Sequence, residues 1–172
     1  MKRRGGGTAR RKLRALFFDV DGCLTDGRLY IDDRGRETKV FDTKDGHGVR
    51  KALAHGLEVA WISGRTSLAT AVRARDLGVR HCHQGVKDKL PRYEALCRKL
   101  GVAPSETAVL GDDEPDVPMM KRAGFSACPA DATPEARRAA TVVLRNAGGR
   151  GAAREFIELV LSRNGAGGRT RS

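Results

Sequence analysis

The sequence predicts an α/β fold: a doubly wound, Rossmann-like parallel sheet with a β-hairpin flap and no separate cap domain. Three observations carry this. Short apolar runs alternate with helical patterns along the body of the chain, as parallel strands joined by crossover helices require. Four of the apolar runs end in polar, chemistry-bearing residues, and doubly wound sheets bind ligands beyond the carboxyl ends of their strands. The connections are short, and none is long enough to form a second domain.

Residues 13–19 form the first expected strand, a continuous apolar run ending in Asp19. Residues 28–41 hold two β-like runs about the turn at 32–35, which predicts a hairpin flap. A helix over 45–55 closes at Gly56, since glycine accepts the left-handed backbone of a helix end. The next strand, 57–62, runs into Ser63-Gly64-Arg65. A helix over 66–77 closes at Gly78, and 79–83 is a short strand. Over 87–100 the apolar residues Leu90, Tyr93, Leu96, Cys97 and Leu100 mark one helical stripe, stopped by Gly101. Strand 107–110 leads into Gly111-Asp112-Asp113. Helix 114–123, strand 125–128, helix 134–140, an edge strand at 142–144 and a last helix over 150–161 complete the body. Trp61, Phe125, Met119 and Met120 are expected in the core.

The formal net charge of +12 suggests nucleic acid at first sight. Its distribution argues otherwise. Seven Lys/Arg lie in residues 1–14 and three Arg in 163–172, with no acid in either stretch, which leaves 23 basic against 21 acidic residues between them. Both ends are rich in glycine and poor in apolar residues, so 1–12 and 163–172 are read as basic disordered tails around a single domain, 13–162. Glycines at 5–7 and the missing apolar face speak against a mitochondrial presequence. No apolar stretch approaches the roughly 18 residues that span a bilayer. Four cysteines without CxxC spacing argue against zinc and disulfides, and a cytoplasmic protein is expected.

The chemistry concentrates in Asp19-Val20-Asp21-Gly22. Two carboxylates one residue apart at a strand end suit a hard cation such as Mg2+. They also place a nucleophile beside a group that can move protons. An Asp-rich turn would read the same in isolation. Ser63, the 84–89 stretch and Asp112-Asp113, on the same sheet edge, favour a site.

In order, these segments resemble the four motifs of the haloacid-dehalogenase-like phosphotransferase superfamily. The resemblance implies that Asp19 is the nucleophile, Asp21 the general acid/base, and Ser63 and Lys89 the groups gripping the phosphoryl oxygens. Mg2+ would be held by Asp19, the Asp21 carbonyl and Asp112. The motif spacing Gln84-Gly85-x-x-x-Lys89 selects Lys89 over Lys87. Asp113 is a second contact at the metal or a neighbour of it, and Asp116 either orients the metal's waters or serves as a first-turn helix carboxylate.

Within the superfamily the body is similar to the capless 3-deoxy-D-manno-octulosonate 8-phosphate phosphatases. The residues that carry this are 19–27, Lys39-Val40-Phe41, Asp45-Gly46-His47-Gly48, Ile62-Ser63-Gly64-Arg65, Gln84-Gly85, 111–120 and Gly148-Gly149-Arg150-Gly151-Ala152. The likeness implies a homotetramer whose flaps roof neighbouring sites, and a sugar-acid phosphate substrate. It places Thr25, Gly64, Arg65, Arg73 and Arg150 on the substrate side. An arginine fork suits the carboxylate of a sugar acid. Arg73 otherwise belongs to a solvated helix face, and Arg150 otherwise opens the last helix. Lys44 and Glu114-Pro115 depart from the family's usual residues without removing a catalytic group. Rival readings are a phosphatase for a nine-carbon ulosonate 9-phosphate and, in another class, a non-catalytic nucleic-acid binder using the basic tails. Neither membrane nor nucleic acid is the expected partner.

Overall fold

The computed structural model describes residues 11–166. In chain order the elements are β1 (Ala15–Phe18), β2 (Tyr30–Ile31), β3 (Glu37–Thr38), α1 (Thr43–Ala54), β4 (Glu58–Ile62) and α2 (Leu68–Leu77). They continue with β5 (His81–His83), α3 (Lys89–Leu100), β6 (Thr107–Leu110), α4 (Val117–Arg122), β7 (Phe125–Cys128), α5 (Pro134–Ala139), β8 (Val142–Val143) and α6 (Ala152–Ala166). Each expected element is present, with ends shifted by a few residues.

The main sheet has the order β5-β4-β1-β6-β7-β8, every pair parallel. From β1 the chain builds outward on one side through β4 and β5, then returns to lay β6 on the other side. The strand order reverses beside β1, and a crevice must open at the carboxyl ends of β1 and β6. Being covered on both faces, β1 reads as an unbroken apolar run. Leu16 and Phe18 face the core under α1 and α6, whereas Ala15 and Phe17 face the core under α3 and α4. Trp61, Met119, Met120 and Phe125 are all buried, as expected.

Two devices fix the last helix. Asp45, buried in the first turn of α1, accepts from the backbone N–H groups of Gly151 (3.2 Å) and Arg154 (2.7 Å). It thereby supplies the negative end that the start of α6 needs. Gly48 lets the helices close, since a Cβ there would lie 2.9 Å from Arg154 Cδ. At the far end Asn164 donates from Nδ2 to the Leu13 carbonyl (2.8 Å) and accepts from the Leu13 N–H (2.9 Å). This clasp explains why α6 runs to Ala166, past the expected end at 161 and into the stretch assigned to the basic tail. Residues 1–10 and 167–172 of the expected tails lie outside the described residues. Among the described residues, no helix is long and apolar enough to cross a membrane.

The Gly148-Gly149 turn presses on the loop that follows β1. A Cβ at Gly148 would stand 1.8 Å from the Gly22 carbonyl oxygen, and Gly149 donates to the Cys23 carbonyl (3.0 Å). The neighbour is backbone on a tied loop and has no room to move. Gly148→Ala is therefore expected to destabilise the fold by about 1–3 kcal/mol in urea unfolding, against a Gly165→Ala control near the end of α6, where a Cβ meets nothing within 4 Å.

Candidate active site

The loop after β1 is wound onto one acceptor. The Val20 carbonyl receives the N–H groups of Leu24 (2.9 Å) and Thr25 (3.1 Å). Gly22 has φ +100°, and a Cβ there would sit 2.1 Å from Asp112 Oδ2. Only glycine allows this left-handed turn and this approach of backbone to carboxylate. Asp19 and Asp112 are thereby brought to one spot from β1 and from the end of β6.

Lys89, the first residue of α3, reaches the same spot and is buried. Its ammonium donates to Asp19 Oδ1 and, at 2.6 Å, to Asp116 Oδ1. Burial pulls the ammonium's pKa down, but Asp19 and Asp116 together outweigh that and hold it above its ordinary value. Asp116, also buried, turns its other oxygen to the backbone N–H groups of Asp112 (3.0 Å) and Asp113 (3.3 Å). Its role here is to hold the loop after β6 and to share Lys89. Asp113 is exposed, and its side chain caps the next turn by accepting from Glu114 N–H (2.7 Å).

One lysine cannot balance three carboxylates. Burial, then the charge of Asp116, pushes Asp19 well above the usual carboxylate range despite Lys89. Burial and Asp116 likewise push Asp112 up to about 7. Such a site takes up a cation. Ligand atoms of Asp19, Asp112 and Cys23 lie within 4.8 Å of one another. Burial raises the Cys23 thiol, with Asp112 next in effect. Sulfur is also a poor donor for a hard ion. The thiol is a neighbour to Asp112 Oδ1, at 3.6 Å, and the oxygen donors suit Mg2+.

Ser63, at the end of β4, donates to Asp21 Oδ2 (3.3 Å) or to the Arg65 carbonyl (3.1 Å). A cavity of about 260 Å3 is lined by Asp19, Asp21, Gly64, Arg65, Lys89 and Asp112, with Lys87 and Asp113 among its walls. The flap adds residues that sequence reasoning left out of the site. Lys39, just past β3, donates to Asp21 Oδ1 and pairs with Glu37 Oε1 at 3.1 Å. Glu37 in turn accepts from Arg65 Nη2 at 2.6 Å. Lys39 stood in a recognised segment, but nothing in its spacing marked a lysine on a hairpin as turned inward.

Three expected substrate-side residues do not line the cavity. The Thr25 hydroxyl accepts from Gly27 N–H (3.2 Å) and Gly22 N–H (3.4 Å), so it pins its own loop. Arg73 lies against the start of α1, with Nη2 at 3.4 Å from the Asp42 carbonyl oxygen. Arg150 is exposed in the turn before α6, on the Asp26 side. Within one chain, Arg65 is the guanidinium that lines the cavity.

Known proteins with similar sequence and fold identify the family. The haloacid dehalogenase-like hydrolase family matches over residues 82–156. The 3-deoxy-D-manno-octulosonate 8-phosphate phosphatase of Escherichia coli K12 is 43% identical over 153 residues, covering 89% of this chain and 81% of that protein. The crystal structure of the Yersinia pestis phosphatase of that name superposes with a TM-score of 0.87 and 40% identity, over 89% of this chain and 83% of that one. The Moraxella catarrhalis phosphatase of that name, in complex with magnesium ion, phosphate ion and KDO, gives a TM-score of 0.87 and 36% identity over 89% and 88%.

A carboxyl whose folded pKa exceeds its unfolded one stabilises the fold while protonated and loses that contribution as pH rises through the folded value. Asp112→Asn, a neutral mimic, is therefore expected to exceed the metal-free wild type by about 1–3 kcal/mol at pH 8. The gap should narrow as the pH is lowered towards 5. Saturating Mg2+ should reverse the order, because only the wild type offers both carboxylates. Urea unfolding with chelator and with Mg2+ reads both effects.

Proposed function

The chain belongs to the haloacid dehalogenase-like hydrolases, in the family of 3-deoxy-D-manno-octulosonate 8-phosphate phosphatases, and on that basis we propose that it hydrolyses 3-deoxy-D-manno-octulosonate 8-phosphate to the free sugar acid and phosphate. The observation that carries the mechanism is Asp19, buried at the floor of the cavity, held by Lys89 and with Asp21 on the same wall.

Asp19, Asp112 and the main-chain carbonyl of Asp21 would hold Mg2+, which when bound offsets the charge of the phosphate and its repulsion of a carboxylate. Lys89 fixes the free oxygen of Asp19 and, with the Ser63 hydroxyl, donates to phosphoryl oxygens as charge builds on them. Asp19 attacks phosphorus, and the bond from phosphorus to the sugar oxygen breaks. Asp21 gives that oxygen a proton, leaving an aspartyl-phosphate. Asp21 then takes a proton from water, whose oxygen attacks phosphorus and frees Asp19 and phosphate. Arg65, at the mouth and 47% exposed, meets the sugar acid's carboxylate.

The finer parts of the reading concern setting and assembly. A homotetramer is supported by the apolar surface of the flap, where Leu29, Tyr30, Ile31 and Val40 are exposed, and by Leu68 on α2. Neighbouring subunits would roof one another's cavities and bring Arg73 and Arg150 to bear from outside. Four unpaired cysteines suit a reducing, cytoplasmic setting, where the product would enter lipopolysaccharide synthesis.

Inorganic phosphate release from a panel of sugar phosphates tests the proposal. Selective release from the eight-carbon ulosonate phosphate is expected, abolished by chelator and reduced more than about a thousandfold in Asp19→Asn. An equal rate on the nine-carbon homologue would keep the mechanism and sink the substrate. Arg65→Glu is expected to lower the preference for the eight-carbon ester.

A further inference from the structure

The flap inserts one charge that the proposed mechanism does not use. The Lys39 side chain is 4% exposed although it belongs to a surface hairpin. A lysine is almost never so buried unless it is paired. Its partners are Asp21 Oδ1 and Glu37 Oε1. On the other side of Asp21, Ser63 Oγ stands 3.3 Å from Oδ2. One oxygen of this carboxyl is thus held from the flap, and the other is within reach of the Ser63 hydroxyl at the end of β4. Glu37 is held from two sides, by Lys39 and by Arg65. Lys39 is not among the residues that line the cavity with Asp19, Asp21, Lys87 and Lys89; its ammonium is turned to Asp21 and Glu37.

We infer that Lys39 is a positioning residue for Asp21: the seated flap fixes the carboxyl that passes protons to and from the ester oxygen. This rests on the phosphatase reading and on the role proposed for Asp21. An unheld Asp21 would have rotamers pointing away from the leaving oxygen, and proton transfer is effective only within hydrogen-bond reach. Ordering of the flap and competence of the acid/base are then one event, and Glu37 carries the same coupling to Arg65.

The leaving group distinguishes this role from phosphate binding. kcat/KM reports steps up to the first irreversible one, formation of the aspartyl-phosphate. A sugar alkoxide needs a proton to leave, whereas p-nitrophenolate does not. In Lys39→Met, kcat/KM for the eight-carbon ulosonate phosphate is expected to fall at least about tenfold more than for p-nitrophenyl phosphate, with general acid catalysis worth about 100- to 10,000-fold in all. Lys39→Arg, which keeps a donor of the same charge, should recover most of the difference. Equal losses on both esters, or a rise in KM alone, would overturn the inference and make Lys39 a binding or structural residue. Removing a paired charge this buried can lower stability, but both esters are read on the same preparation, so a loss of folded protein lowers both rates alike and leaves their ratio at the wild-type value. If the wild type released phosphate from neither ester, the phosphatase reading itself would fall, and the role of Lys39 with it.

Discussion

The ammonium of Lys89 between Asp19 and Asp116 is the contact on which the site depends. It joins the start of α3 to the end of β1 and to the loop after β6, three segments distant in sequence. Asp116 extends the join through its second oxygen to the backbone of residues 112 and 113. Taking such charges out of water is unfavourable, and a buried pair is weak evidence for stability by itself. What the arrangement secures is position. Asp19 and Asp112 stand together with more negative charge than one lysine can balance, and their raised pKa values record that imbalance. A divalent cation meets it in a way that a second lysine would not, since it can bind carboxylates and substrate oxygen at once.

The flap follows a different logic. Its strands are two residues each, too short to stand alone in water. The charged contacts from its second arm are Lys39 to Asp21 and Glu37 to Arg65, and both lead into the site. Leu29, Tyr30, Ile31 and Val40 of the same hairpin are exposed. Such a hairpin turns charges towards the cavity and leaves these four apolar side chains for another surface to cover. The proposed assembly and the proposed positioning of Asp21 therefore depend on the same few residues.

Most of the fold was legible because a parallel sheet covered on both faces leaves a strong signal. Its strands are unbroken apolar runs, and its helices close at Gly56, Gly78 and Gly101. The floor of the cavity was legible for a related reason: Asp19, Ser63, Lys89 and Asp112 each follow directly from the end of a strand or the start of a helix, so order along the chain fixes place in space. What sequence could not supply was side-chain direction off irregular backbone. Thr25 sits within the 19–27 segment, but its hydroxyl is used by its own loop. Lys39 lies on a hairpin whose register, Ile31 opposite Glu37, no periodicity encodes in two residues. The end of α6 was placed too early because the run 162–166 carries little apolar signal. The Asn164 clasp on Leu13 lies 151 residues away in sequence.

Arg65 shows how the carboxylate of a substrate could be selected without an empty guanidinium waiting for it. In the single chain it is already paired with Glu37, and about half of its side chain is in water. An exposed pair of this kind contributes only about 0–1 kcal/mol, so exchanging one carboxylate for another is nearly neutral. Glu37 does not have to leave the site, because Lys39 can keep it while Arg65 turns. The pair therefore holds an otherwise mobile arginine extended at the mouth, and a phosphate ester without a carboxylate gains nothing by displacing Glu37. Selectivity for a sugar acid can then arise from an exchange that only a second carboxylate completes.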